Sequence, residues 1–580
     1  MSAVRPRSDG PVRAAPGRRG PTRPPARPAG GRHRRDRRTG EATDTMTQAA
    51  LTHPPAAPAP ADPAPERRGL LRRAADRSDW LGPIAVALFA GLLRFWNLGY
   101  PNAFVFDETY YPKDAWSLLR QGYEGTWPEH ANEQVLAVPQ QIPLTSAPEF
   151  IAHPPLGKWV ISLGEWAFGL HPFGWRFMTA LLGTLTVLML ARIGRRLFGS
   201  TLIGCTAALL MAVDGLHLVM SRIGLLDGVQ MFFVLAAFGA LLIDRDRTRA
   251  RLAAVLPDRG GDTVRLGWRP WRITAGLCLG AAAGVKWNGA MVLAAFGLLT
   301  VLWDQSGRRW AGARRPWRSM LRLDAVPAFL AMVGSAFVVY VGGWAGWLFT
   351  GGGFDRHWAD DRAGLSPDSV LGIGLPQVSM SWVPAPLRSL WHYHAQMYDF
   401  NTGLSSPHTY QSNPFSWLVQ GRPVSMYWEQ VPAGQRGCDA SGGCAAQILG
   451  LGTPLLWWTA CFALLYLLWR WFFRRDWRSG AVLCGVAGVY LPWFQYQERT
   501  VFSFYMVVLV PFLCLAVAQM LGAMLGPEGC PPERRRIGAV AAGLVVLAIM
   551  ACFAFFYPLY TAEVIPMTSW QDRMWFTGWI

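Results

Sequence analysis

Beyond residue 78 the chain consists of long apolar blocks separated by short arginine-rich joints, and this alternation limits what it can fold into. A helical block of roughly 17 to 25 apolar residues matches the hydrocarbon thickness of a bilayer, and lipid obliges a spanning segment to satisfy its own backbone. Such blocks fall near 80–100, 173–191, 201–219, 223–243, 273–284, 286–303, 325–349, 450–470, 479–494, 500–521 and 537–557, about eleven in all. The sequence therefore reads as an all-α polytopic membrane protein. The block at 273–284 is short and reads equally as a broken or re-entrant helix. The joints Arg192–Arg196, Asp244–Arg251, Arg308–Arg318, Arg470–Arg478 and Arg534–Arg536 share one side, which the positive-inside rule makes cytoplasmic. An odd count then puts the N-terminus in the cytoplasm and the C-terminus outside a cell membrane.

Residues 1–78 differ, being rich in Arg, Pro, Ala and Gly with almost no aromatics. They are too polar to bury a core and are expected as a disordered cytoplasmic tail. The run Arg32–Arg38 has the charge of a nucleic-acid-binding arm, but topology and anionic lipid account for a basic tail before a first span, so no nucleic-acid partner is expected. Much of the net charge of +18 has the same origin. The expected division is a tail (1–78), an N-terminal transmembrane catalytic region (79–349) that includes a first outer loop (101–172), a second outer loop (350–449) and a C-terminal transmembrane region (450–580). Of nine cysteines only Cys438 and Cys444 fall in an outer loop, where an oxidising exterior favours a disulfide over a metal site.

Directly after the first block stands the acid pair Asp107-Glu108, flanked by aromatics and followed by Lys113. Paired carboxylates at a membrane face suit acid–base chemistry at the lipid boundary; the competing reading is Asp107 as a helix N-cap with Glu108 in the first turn. Only three of 55 cationic residues are lysines, at 113, 158 and 286, all on or near the outer side. Lysine kept against such an arginine bias points to positions that need a compact ammonium. Lys286, between two apolar blocks, would be costly there without an anion or water. Arg176 opens the second block, Asp214, His217, Arg222 and Asp227 crowd the third and fourth, and Arg499 precedes the tenth. Snorkelling or buried pairing explains any one of these; together they gather beside the acid pair, as a lipid-linked phosphate leaving group requires.

No Walker loop or Gly-x-Gly-x-x-Gly opening is present, so the energy for a transfer must arrive in the donor. Asp244-Arg-Asp246 has the Asp-x-Asp form but reads as a solvated helix end. His392, His394 and His408 lack partners at ligand spacing, so no metal site is expected.

In order along the chain, Phe106-Asp-Glu, His153-Pro-Pro-Leu-Gly-Lys158, Asp214-Gly-Leu-His with Ser221–Asp227, Gly284-Val-Lys-Trp287, and His408–Trp417 with Gly421-Arg-Pro-Val424 resemble the protein O-mannosyltransferases. The outer loop of about 100 residues is too short for the β-trefoil module of the fungal and animal enzymes, so the resemblance is to the bacterial, actinobacterial-type form. It implies a type C glycosyltransferase fold, a polyprenyl-phosphate mannose donor and Ser or Thr hydroxyls of secreted or membrane proteins as acceptors. It further implies Asp107 as general base of an inverting attack and Glu108 orienting acceptor or sugar. Candidates for the donor phosphate are Arg176, Arg499, Lys158, Arg222 and Lys286, with His153 beside them. Candidates for the acceptor groove are His394, His408, Trp417 and Arg422. No cofactor is required, although a divalent cation near the acids is compatible with the pattern; membrane lipid and the secretion channel are expected partners. Two other readings stand beside this one: a type C glycosyltransferase with a lipid or glycan acceptor, and a transporter or flippase. The absence of an internal repeat, and acids in a loop instead of a span, favour an enzyme.

Overall fold

A computed structural model describes residues 65–255, 261–362, 369–370, 373–374, 380–527 and 529–580, with the backbone alone described over 65–78, at 255, and over 369–370 and 373–374. The expected disordered tail over 1–64 lies outside the described residues. Its last part is corrected: α1 (Pro65–Phe95) begins well before the block near residue 80. Pro65 at the first helical position, followed by Glu, Arg, Leu and Ala, gives that stretch the chemistry of a helix start.

The chain continues through α2 (Tyr111–Gln121), α3 (Ala131–Leu136), α4 (Leu156–Phe168), α5 (Pro172–Phe198), α6 (Thr201–Ala212), α7 (Gly215–Met220), α8 (Leu226–Val255), α9 (Pro270–Val285), α10 (Asn288–Trp310) and α11 (Pro316–Leu323). There follow α12 (Ala325–Phe329), a π-helical segment Leu330–Gly334, α13 (Ser335–Gly343), α14 (Ala345–Thr350), α15 (Ala385–Gly403), α16 (Pro454–Arg474), α17 (Trp477–Tyr490), α18 (Val510–Met524) and α19 (Pro532–Phe556). Every expected apolar block contains helix, though not over its whole length. Among the described residues seven helical segments are long and apolar enough to cross a membrane; α6, α9 and α17 are shorter, at 12, 16 and 14 residues. The block expected over 201–219 is broken at Asp214, which caps α7 by accepting from the His217 amide at 2.9 Å. Asp214 also accepts from the Thr453 amide and the Trp457 indole at 3.1 and 2.8 Å, so one carboxylate ties the break to the start of α16.

Segments Leu226–Ala254 and Ser503–Met524 are 72% and 89% buried over their most apolar windows, whereas Ala325–Gly343 is only 11% buried and presents its apolar surface outward. At one end of the bundle Arg269 and Arg272 bind Asp244 and Asp304, Arg308 binds Asp324, and the Arg245 guanidinium lies 3.3 Å over the Trp477 ring. We call this the arginine end. Asp244 is thus no solvated helix end: the guanidiniums of Arg269, which precedes α9, and Arg272, within it, bury it. Away from the arginine end the chain also forms an antiparallel hairpin, Val424–Val431 with Cys444–Gly450, joined by the short strand Ile565–Pro566. A disulfide joins Cys438 and Cys444 at its tip.

Candidate active site

Between α1 and α2 the acid pair lies in one 3₁₀ turn, Phe106–Thr109. Phe106 has φ 51°, a left-handed conformation unfavourable for a bulky residue, and its ring is held edge-on by Phe502 and Phe504. Glu108 is fully buried. Its Oε1 accepts from Arg176 Nε at 2.8 Å and the Gly224 amide at 2.7 Å; its Oε2 accepts from Arg176 Nη2 at 2.8 Å and the Val105 amide at 2.9 Å. The remaining Arg176 donors go to the carbonyls of Leu98, Pro101 and Ala103, at 3.3, 3.0 and 2.8 Å. Every N–H of Arg176 and every lone-pair site of Glu108 is therefore engaged within the protein. This corrects two expectations: Arg176 has no donor free for a phosphate, and Glu108 has no acceptor free for a sugar or hydroxyl. Together they clamp the turn that carries Asp107.

The Asp107 carboxylate is left comparatively free. Its only hydrogen bond among the described residues is a long one, accepted at 3.5 Å from the Tyr111 hydroxyl. Burial pushes its pKa up to about 6; nearby Lys286 opposes the rise and Asp227 reinforces it. The last two residues form a pair, Lys286 Nζ to Asp227 Oδ2 at 2.7 Å, in the wall of a cavity of about 290 Å³. Lys286 also lies 5.1 Å from the centre of the Tyr505 ring. Arg499 lines the same cavity, donating from Nη2 to Asn401 Oδ1 at 3.0 Å, while its Nε is buried with no partner among the described residues. His153 completes this wall; burial and the charges of Lys286, Lys158 and Arg499 hold its imidazole well below the usual range, hence neutral.

Of the five phosphate candidates, the cavity receives Lys286 and Arg499. The other two expectations besides Arg176 are corrected. Lys158 is buried and pairs with Glu124 at 2.7 Å, with a further bond to the His153 carbonyl. Arg222 caps the end of α1, donating to the carbonyls of Leu93, Arg94, Trp96 and Asn97. Both answer the need of a buried cation or an open helix terminus.

The four acceptor-groove candidates also separate. His394 has both ring nitrogens engaged, Nδ1 with the Leu390 carbonyl and Nε2 with the Tyr340 hydroxyl, and stacks behind Trp287 of the cavity. Trp417 is buried, donates to Ser412 Oγ and packs behind Trp493 and Tyr505. Arg422 is spent on the main-chain oxygens of Thr409, Gly578 and Ile580. These three brace the site from outside the cavity. His408 alone is exposed, its ring edge-on to Phe502 at 5.0 Å and so close to the Asp107 turn. Sequence reasoning passed over Asn401 and Tyr505 and gave Asp227 no role; Asp227 carried a signal, a carboxylate inside an apolar block. Among the described residues no group of three or more His, Cys, Asp and Glu could hold a metal ion, and with Glu108 saturated the acid pair offers a cation Asp107 alone.

Residues 84–328 match the family model of the dolichyl-phosphate-mannose-protein mannosyltransferases, and residues 386–579 match the C-terminal four-transmembrane region of protein-O-mannosyltransferase. The chain is 36% identical over 550 residues to the polyprenol-phosphate-mannose–protein mannosyltransferase of Mycolicibacterium smegmatis, covering 93% of this chain and 99% of that one. It is 35% identical over 511 residues to the protein of that name in Mycobacterium tuberculosis, covering 86% and 92%. Among solved structures, the S. cerevisiae protein O-mannosyltransferase Pmt1–Pmt2 complex bound to the sugar donor matches with a TM-score of 0.64, over 87% of this chain and 93% of that chain at 15% identity. At that identity the likeness speaks to fold.

Proposed function

The chain belongs to the protein O-mannosyltransferase family, an enzyme of type C glycosyltransferase fold that transfers mannose from polyprenol-phosphate mannose to protein, and from that premise we propose how its residues do so. Asp107 takes the proton of an acceptor Ser or Thr hydroxyl as the oxygen attacks the anomeric carbon of mannose. The bond from that carbon to the phosphate oxygen breaks on the opposite face, so configuration inverts, and the polyprenyl phosphate departs with the electron pair.

A carboxylate with pKa near 6 is ionised at neutral pH yet more basic than an ordinary aspartate, which suits a weak nucleophile such as a hydroxyl. Lys286 and Arg499, which wall the cavity, stabilise the charge that grows on the phosphate. Glu108 and Arg176 act indirectly, by fixing the Asp107 turn. The observation that carries this reading is the placement of one weakly bonded carboxylate beside a cavity walled by Lys286 and Arg499.

By the positive-inside rule the arginine end is at the cytoplasmic face of a cell membrane, with the N-terminus on that side and the C-terminus and active site outside. Acceptors would then meet the site as they emerge, which favours association with the secretion channel. The test is transfer of labelled mannose from polyprenyl-phosphate mannose to a Ser/Thr-rich peptide, with anomeric configuration read by NMR. Inverted O-mannosyl peptide is expected; a retained configuration, or no transfer by folded protein, would overturn the proposal.

A further inference from the structure

A second cavity, of about 690 Å³, opens at the arginine end between the segment around Arg265–Arg272 and the start of the span Ala325–Gly343. One side carries Arg265, Arg269, Arg272 and Arg322, and the other is apolar, with Pro327 and Leu330. Arg269 and Arg272 are neutralised by Asp244 and Asp304, and the lining carboxylate Asp324 is taken by Arg308. Arg265 and Arg322 are exposed, and neither forms an ion pair or hydrogen bond among the described residues. Two guanidiniums with no counter-charge among the described residues therefore overhang an apolar groove.

The groove borders the least buried of the candidate spans among the described residues, whose apolar surface faces outward. The π-helical turn Leu330–Gly334 interrupts that span at the groove, with the Ser335 hydroxyl bonded back to the Ala331 carbonyl at 2.6 Å. Trp268, 74% exposed at the rim, supplies an amphipathic ring of the kind found at headgroup level. We propose that this cavity binds an anionic phospholipid, its phosphate between Arg265 and Arg322 and one acyl chain along Pro327 and Leu330. A zwitterionic headgroup would set its own cation against the arginines. The site is separate from the catalytic one: α9 carries Arg272 near its start here, and Lys286, its C-cap, lies fourteen residues further on, about 21 Å away along the helix.

The test is native mass spectrometry of the full-length protein in neutral detergent at fixed ionic strength, with dioleoyl phosphatidylglycerol and dioleoyl phosphatidylcholine as probes. The wild type should retain phosphatidylglycerol in preference. The double variant Arg265→Gln/Arg322→Gln should lose about thirty-fold in affinity for it, from two surface arginines at about 1 kcal/mol each, and bind phosphatidylcholine as before. Unchanged mannose transfer would establish that this variant is folded. Equal binding of the two lipids by the wild type, or an undiminished preference in the folded variant, would overturn the proposal. So would complete displacement of the lipid by millimolar inorganic phosphate, which would make the site one for the free ion.

Discussion

Arg176 and Glu108 meet through two parallel hydrogen bonds of 2.8 Å, and neither side chain has a polar group left for a substrate. Glu108→Gln should therefore act through stability. Removing one charge of a buried pair leaves the other uncompensated, and a loss of about 3–5 kcal/mol is expected, seen as a lower Tm in detergent. A Glu108→Gln protein with wild-type Tm and no transfer would instead mean that Glu108 touches substrate.

The raised pKa of Asp107 sets a pH dependence of definite sign. The base works ionised, so transfer should rise as pH increases towards about 6 and level off above it, falling roughly tenfold per unit on the acid side. For stability the sign is reversed. The folded chain holds this proton more tightly than the unfolded one, so the group's contribution is present below about 3.8 and is lost as pH rises through about 6. Asp107→Asn should accordingly raise Tm at pH 7.5 while lowering turnover by about 10²-fold or more; a lower Tm would contradict the burial argument.

Arg499 and Lys286 should differ under mutation. Arg499→Gln removes a cation that has no carboxylate partner among the described residues and only a neutral one, Asn401, so Tm should nearly hold while transfer falls by about 10²-fold. Lys286→Met should lower both, because it strands Asp227. Adding Asp227→Asn should recover the Tm without recovering transfer, as followed by unfolding and initial-rate measurements on the same preparations.

The disulfide lies at the tip of the Val424–Gly450 hairpin, away from the cavity walls. Replacing Cys438 and Cys444 by Ser should cost about 2 kcal/mol, the loop it closes being short, and leave transfer by the folded protein unchanged. Limited proteolysis at the tip would report the loosening.

The helices were legible because apolar blocks of spanning length leave few alternatives. The break at Asp214 was not, since an N-cap there depends on Thr453 and Trp457, more than two hundred residues away. The cations show the same division. Lysine scarcity singled out Lys286, which does reach the cavity, but it singled out Lys158 equally, and only tertiary structure shows Glu124 consuming that charge. Sequence places Arg176 near the acid pair without revealing the carbonyls of Leu98, Pro101 and Ala103 that absorb its remaining donors. Tyr505, inside an apolar block, gave no sign of facing a cavity.

The central claim is that Asp107 removes the acceptor's proton. It is tested most directly by single-turnover mannose transfer with saturating polyprenyl-phosphate mannose and peptide, comparing wild type with Asp107→Asn at matched amounts of folded protein. The predicted result is a rate lower by about 10²-fold or more with donor affinity nearly unchanged. A variant that transfers at the wild-type rate would place the base elsewhere.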